Sequence, residues 1–243
     1  MLSERLQVIS DLIEYGETMA DIGTDHGFLP VYLIKTGRCP YAIATDISLN
    51  SLKKAENLIL SEGLLNNCFA RVGDGLNPVG NAEVDDIVIA GMGGILMTEI
   101  LSADLSKSRS FKKFILQPRS KLYYLRKWIR ENGFTIKKET IVKEGDRFSE
   151  ILLVGISENH SSSDRDEFLL SDFFPETLVS NPNDLTLEYL KYHLLKSETI
   201  LTNLRDNMSK KKDNAVNVKK MEELKKIVDH LKILIKKYEE RYI

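Results

Sequence analysis

Cysteine is scarce in this chain: Cys39 and Cys68 are the only two among 243 residues. They stand in unrelated contexts, far from any C-x-x-C spacing, which excludes a disulfide framework and fits a reduced compartment. The four histidines, at 26, 160, 193 and 230, are too scattered for a structural zinc site, so no metal is expected. Long apolar runs are missing too. No segment approaches a membrane span and no charged-then-apolar leader opens the chain, so a soluble, cytoplasmic protein without a membrane partner is expected. A formal net charge of −2 excludes a uniformly basic protein. The balance is uneven, however. Residues 186–243 carry 14 Lys and Arg against 9 Asp and Glu, while the rest of the chain carries 20 against 27. A basic segment on an acidic body suits a polyanion partner, and it is also found in solvated helices.

What the chain does have, up to about residue 156, is alternation. An opening helix shows Leu2, Leu6, Ile9, Leu12 and Ile13 on one face. Strand-length apolar runs then alternate with helical-period segments. Strands are expected at Met19–Gly23, Tyr41–Asp46, Phe69–Asp74, Asp86–Gly91 and Lys113–Gln117, and helices at Leu29–Thr36, Ser48–Ser61, Ile95–Ala103 and Lys121–Asn132. Two further β segments follow, Thr135–Val142 and Phe148–Ile156. Unbroken runs such as Ile87-Val88-Ile89-Ala90 suit strands buried on both faces of a parallel sheet. The fold class is therefore α/β.

Residues 157–184 read as a polar, Pro-bearing connection with one short helix around Glu167–Phe173. Beyond it the period changes. Leu187, Leu190, Leu194, Ser197, Leu201, Leu204 and Met208 step by three and four, as do Met221, Leu224, Val228, Leu231, Ile235, Tyr238 and Tyr242. Two heptad-patterned helices joined around Lys210–Asn217 should fold back as an antiparallel coiled coil, with a dimerisation pair as the alternative. The expected division is a domain at 1–160 and a linker with a helical domain at 161–243.

The most informative stretch is Met19-Ala20-Asp21-Ile22-Gly23-Thr24-Asp25-His26-Gly27. An apolar run ends in an acid, then a Gly turn, then an apolar helix. That is how the first strand of a doubly wound sheet hands over to its helix above a nucleotide-like cofactor. Asp25 stands where the second glycine of a dinucleotide fingerprint would fall, and its carboxylate would face a pyrophosphate. A cofactor without phosphates suits the site better, and S-adenosyl-L-methionine, with its cationic sulfonium and ammonium, is the obvious one. The alternative is a tight β–α turn in an α/β protein of another function. Asp46 and Asp74 end the next two strands in order, placed to take ribose hydroxyls and the adenine amino group. The three acids together favour S-adenosyl-L-methionine over NAD, ATP or no cofactor. The expected cofactor residues are Asp21, Gly23, Asp46, Ile47, Asp74, Gly75 and Ala90.

After the fourth strand the chain reads Ala90-Gly91-Met92-Gly93-Gly94. No side-chain acceptor is present to draw electron density onto an exocyclic amine. A glycine wall suits an acceptor that is already nucleophilic, such as a ring nitrogen. The expected substrate-side residues are Gly91, Met92, Gly93, Asp25 and His26, the last two in positioning roles. Arg119, Lys121, Arg126, Lys127 and Arg130 are candidate phosphate contacts.

These segments closely resemble the bacterial tRNA (adenine-N1)-methyltransferases that act on adenine 22, the TrmK family. The resemblance rests on Ser3-Glu4-Arg5-Leu6, on Ala20 to Pro30, on Gly73-Asp74-Gly75-Leu76, on Ile89 to Gly94 and on Leu116-Gln117-Pro118. It covers essentially the whole chain. It implies a class I methyltransferase, Rossmann-like seven-stranded sheet with its last strand antiparallel, a C-terminal coiled coil, an S-adenosyl-L-methionine cofactor and a tRNA substrate; a monomer is expected. Three positions depart from the family pattern: Arg119 replaces an Asn, Ser149 a Tyr, and Asp46 a Glu. A small-molecule methyltransferase and a methyltransferase-like RNA-binding scaffold are the alternatives.

Overall fold

The computed structural model describes residues 2–157, 168–210 and 215–243. The chain divides into two compact units, Met1–Arg165 and Asp166–Ile243.

The first unit is built on a sheet of seven strands, β1 (Met19–Ile22), β2 (Ala42–Asp46), β3 (Cys68–Val72), β4 (Asp86–Gly93), β5 (Lys113–Ser120), β6 (Phe134–Glu144) and β7 (Arg147–Ile156). Their order is β3-β2-β1-β4-β5-β7-β6. The first five run parallel, and β7 enters antiparallel between β5 and β6. β1 lies between β2 and β4, with Asp21 opposite Ala44 on one side and Val88 on the other. Every residue of β1 is buried, Asp21 included, because helices cover both faces of the sheet. One core, containing Ile22, Ile87, Ile89 and Phe114, lies on one side; a second, containing Ile9, Leu33, Val88 and Ile115, lies on the other. The alternating register of the central strands divides them in this way.

The helices of this unit are α1 (Glu4–Asp11), α2 (Phe28–Lys35), α3 (Leu49–Ser61), α4 (Gly94–Ser102), α5 (Leu105–Ser108) and α6 (Leu122–Glu131). Ser3 and Ser48 cap α1 and α3, their hydroxyls accepting from Leu6 N and Ser51 N at 3.4 Å each. Three differences from the sequence expectation bear on the site. β3 stops at Val72, so Asp74 lies in the turn after the strand. β4 and β5 run on to Gly93 and Ser120 through irregular pairing between Ala90 and Gly93. The short helix α5 carries no periodicity to reveal it.

In the second unit the short helices α7 (Leu170–Phe173) and α8 (Thr177–Ser180) precede α9 (Thr186–Lys210) and α10 (Ala215–Tyr242). α7 covers the end of the expected Glu167–Phe173 helix, whose first residue lies outside the described ones. The two long helices run antiparallel, with Lys191 against Glu239 at 2.9 Å and Glu198 against Lys232 at 2.8 Å. Leu190, Ser197 and Leu201 are buried in α9, and Val228, Leu231 and Ile235 in α10; Ile227 and Leu234 join them, whereas Tyr242 is exposed. Of the expected turn, Lys210 ends α9 and Ala215–Asn217 begin α10, while 211–214 lie outside the described residues. Among the described residues no helix is long and apolar enough to cross a membrane.

At the amino edge of the sheet Asp86 is 0% exposed, and neither carboxylate oxygen accepts a hydrogen bond among the described residues. Lys113 Nζ stands 3.6 Å away and pairs more closely with Glu17. Burial pushes Asp86 up to about 8 against the pull of Lys113, with Glu17 and Asp85 adding to the rise. The folded state thus holds a proton that the unfolded chain releases near pH 4. Stability from this group is present below that pH and is lost as pH rises towards 8. Asp86→Asn should therefore raise the melting temperature at pH 8 and leave it nearly unchanged at pH 4.5. Thermal denaturation at the two pH values checks this.

Candidate active site at the carboxyl edge of the sheet

The strand order reverses at β1, and ligands of open α/β sheets lie above the carboxyl ends at such a point. From Ile22 the chain turns through residues 23–27. Gly23 N and Thr24 N both donate to the Thr45 carbonyl at 2.8 Å, tying the turn to β2. Gly23 takes φ +77, and a Cβ there would lie 2.2 Å from Met92 Cε. Glycine is required on both counts. The same contact brings together two residues singled out from the sequence, one after β1 and one on β4.

Asp25 has φ 49, an uncommon conformation for a residue other than glycine. Its neighbours hold it there. Its N–H donates to Asp46 Oδ2 at 3.3 Å, and its carboxylate meets Lys54 at 3.2 Å and His26 at 3.3 Å. A little burial pushes the Asp25 carboxyl up, but Lys54 and His26 outweigh it and the net shift is downward. Asp21 is nearly buried and accepts from Thr24 Oγ1 at 2.7 Å. Burial raises its pKa to about 6; Thr24 and the Arg5 charge pull the other way, and Asp46 adds to the rise. Asp46 Oδ1 accepts from Ser48 N at 2.7 Å.

The next residue, Ile47, is 70% exposed, and Val72, paired in register with Asp46, is 52% exposed. Two apolar side chains thus stand open at the ends of neighbouring strands, where a purine ring would cover them. Asp74 and Gly75 lie just beyond, Gly75 with φ +53. This arrangement fits S-adenosyl-L-methionine: a buried acid for a cationic amino-acid end, an acid for a diol, and apolar flanks for an adenine.

The far wall is β4. Gly91 has φ +80, and its N–H donates to Gln117 Oε1 at 3.1 Å. Arg5 Nη1 donates to the same oxygen at 3.0 Å, while Gln117 Nε2 donates to the Pro118 carbonyl at 3.1 Å. Gln117 is 2% exposed. Its amide therefore fastens α1 and the irregular end of β4 to β5. Arg5 and Gln117 were not assigned from sequence. A polar residue ending the run Phe114-Ile115-Leu116 was the available signal for Gln117; Arg5 reads like any helix-surface arginine.

The structure gathers Asp21, Gly23, Asp25, Asp46 and Met92 closely, with Ala90, Gly91 and Gly93 along the end of β4. His26 turns outward and stacks on Phe28. Of the five basic residues proposed for phosphates, Arg126 is buried and paired with Glu139 on β6. Its place on α6 faces the sheet, so it is a core ion pair. Lys127 and Arg130 stand 3.8 and 3.7 Å from Glu131. Arg119 Nε lies 3.8 Å from where a Cβ on Gly91 would be, so this side chain borders the wall. Among the described residues no cluster of His, Cys, Asp and Glu could hold a metal ion.

Residues 2–152 match the family model described as "Methyltransferase domain". The tRNA (adenine(22)-N(1))-methyltransferase of Bacillus subtilis (strain 168) is 29% identical over 232 residues, 94% of this chain and 98% of that protein. The crystal structure of the B. subtilis M1A22 tRNA methyltransferase TrmK superposes with a TM-score of 0.82 at 29% identity, covering 97% of this chain and 99% of the other. M. capricolum TrmK in complex with the cofactor product S-adenosyl-homocysteine gives 0.78 at 27% identity, covering 98% and 99%.

Replacing Gln117 by Leu keeps its volume roughly constant but strands the Gly91 and Arg5 donors in a nearly closed space. A loss of about 1–3 kcal/mol is expected. Urea denaturation at neutral pH measures it.

Proposed function

The chain belongs to the methyltransferase domain family, and from that premise we propose that it transfers a methyl group from S-adenosyl-L-methionine to N1 of adenine 22 in tRNA. The observation that carries this reading is the extent of the likeness to the B. subtilis enzyme, 94% of this chain and 98% of that one. It takes in the helical unit as well as the sheet.

S-adenosyl-L-methionine, when bound, supplies a methyl group already activated by its sulfonium. Asp21 and the Gly23 turn receive the amino-acid end. Asp46 accepts from the ribose hydroxyls, Ile47 and Val72 flank the adenine, and Asp74, Gly75 and Ala90 close around it. Adenine N1 is an unprotonated ring nitrogen at neutral pH, so its lone pair needs orientation and no strong base. Gly91, Met92 and Gly93 form the wall beside which the target base lies, and Met92 lends it an adaptable apolar surface. Asp25 and His26 brace the turn that faces this wall. N1 lies on the Watson–Crick edge, so the base must enter unpaired or flipped.

The same reading assigns methyl transfer to a domain at 1–160 and tRNA backbone contact to the basic helical segment at 161–243. It makes the protein a monomer of the cytoplasm, where folded tRNA is the substrate.

Incubation with unmodified tRNA and S-adenosyl-L-methionine, followed by mass mapping of nucleosides, should give 1-methyladenosine at position 22. A methyl group elsewhere, or none, overturns the reading. Gly93 has φ −73 and ψ 144, which valine adopts freely. Gly93→Val should thus fold and bind cofactor with little change, while turnover falls on the order of a hundredfold as the target base is displaced.

Replacing Lys210, Lys211 and Lys212 together by Gln should weaken tRNA binding and make its salt dependence shallower, as fewer counterions are released. An unchanged salt slope in binding assays would remove this lysine cluster from the interface.

A further inference from the structure

Phe28 is the first residue of α2, and its neighbours Leu29 and Pro30 are buried, but Phe28 itself is 52% exposed. Its ring lies parallel to that of His26, with centroids 5.1 Å apart and planes 5° from coplanar. One face of the phenyl ring is thus partly overlapped by an offset imidazole. Core packing does not account for an aromatic ring held flat at a helix start with half its surface in water. Beside it stands Lys54 from α3, with Nζ 3.4 Å from His26 Nε2 and 3.2 Å from Asp25 Oδ1. An ammonium has three donor positions, and these two contacts leave one for solvent, towards which the half-exposed Lys54 side chain reaches. Lys54 pairs with the Asp25 carboxylate, and Asp46 adjoins the cluster through the Asp25 N–H.

The cluster borders the cofactor residues without overlapping them. Asp25 N–H reaches Asp46, the proposed ribose acid, at 3.3 Å, while the apolar flanks for the cofactor adenine are Ile47, just past the end of β2, and Val72, the last residue of β3. Resting on the tRNA reading above, we infer that the His26–Phe28 pair is a stacking platform for an unpaired nucleobase next to the methylated adenine, with Lys54 beside it for the adjoining phosphate. RNA recognition at single-stranded positions uses this combination: flat aromatic rings take bases of any identity, and a nearby cation takes the backbone. A strand that splays one base towards the Gly91–Gly93 wall must hold its neighbours outside, and the platform lies at the same carboxyl edge, in the turn whose Gly23 meets Met92 of that wall. The stack also gives the His26 ring a partner at a turn whose Asp25 side chain is likewise exposed. The imidazole supports Phe28 from behind.

The test uses the full chain with S-adenosylhomocysteine and tRNA transcripts carrying 2-aminopurine at one flanking position at a time. Wild-type protein should change the fluorescence strongly at one flanking position. Phe28→Ala should abolish that change and weaken tRNA binding about five- to a hundredfold, with cofactor affinity unaltered. Phe28→Trp should restore both, which a merely structural role for Phe28 would not produce. The inference is overturned if Phe28→Ala binds tRNA and perturbs the probe as wild type does. It is equally overturned if the variant loses cofactor affinity in proportion, or changes sedimentation while leaving the probe signal intact. Wild-type protein that methylates no tRNA overturns the functional reading itself; normal methylation with an inert Phe28→Ala overturns the platform alone.

Discussion

The whole site depends on where one short strand stops. β1 has only four residues and pairs in parallel with β2 and β4. Its neighbours continue in opposite directions across the sheet, so the helices that follow them cannot meet above its end. The crevice left there is a product of connectivity and needs no special residues. What the residues add is control of its walls. The Gly23 turn, held to β2 through the Thr45 carbonyl, lets the chain bend away at once, and the Met92 side chain fills the space a Cβ would have taken.

Two buried acids mark the two edges of the sheet and show how neighbours decide their chemistry. Asp21 and Asp86 both lose water, which drives both pKa values up. At the carboxyl edge Thr24 donates to Asp21 and Arg5 adds positive charge, which halts the rise at about 6. At the amino edge Lys113 is engaged by Glu17, and Asp86 goes to about 8. The first acid keeps a donor and a positive charge beside it and is suited to meet a cation. The second, whose neighbouring lysine is engaged by Glu17, is held further up. Sequence position alone, at opposite ends of two apolar strands, does not distinguish them.

The sequence was most readable where burial imposes a pattern. The five parallel strands and the two long helices follow from apolar runs and heptad steps, because each must hide a continuous apolar surface; the antiparallel entry of the last strand is implied by the family resemblance alone. Readability failed where geometry is set by partners distant in the chain. Asp74 reads as a strand end, yet β3 closes at Val72 because its partner β2 stops at Asp46. Arg126 reads as one of several helix cations, and only the arrival of Glu139 from β6 makes it a buried pair. Gln117 joins Arg5 and Gly91 across 112 and 26 residues of chain. The acid-and-glycine turn could be found because its whole logic lies within nine consecutive residues; the amide that steadies the opposite wall could not.

The antiparallel pairing of α9 and α10 has a consequence for how such a chain can change over time. Lys191 meets Glu239 and Glu198 meets Lys232, so moving seven residues up one helix moves seven down the other. The pair is a graduated rod. Adding or removing a matched turn from both helices shifts the connecting end by about 5.4 Å along the rod axis, without altering any strand of the sheet. Insertions of seven residues, about two turns, made in pairs are therefore a way for lineages to adjust reach while the chemistry stays fixed, whereas an unpaired insertion, or one of three or four residues, would put the later apolar positions out of step.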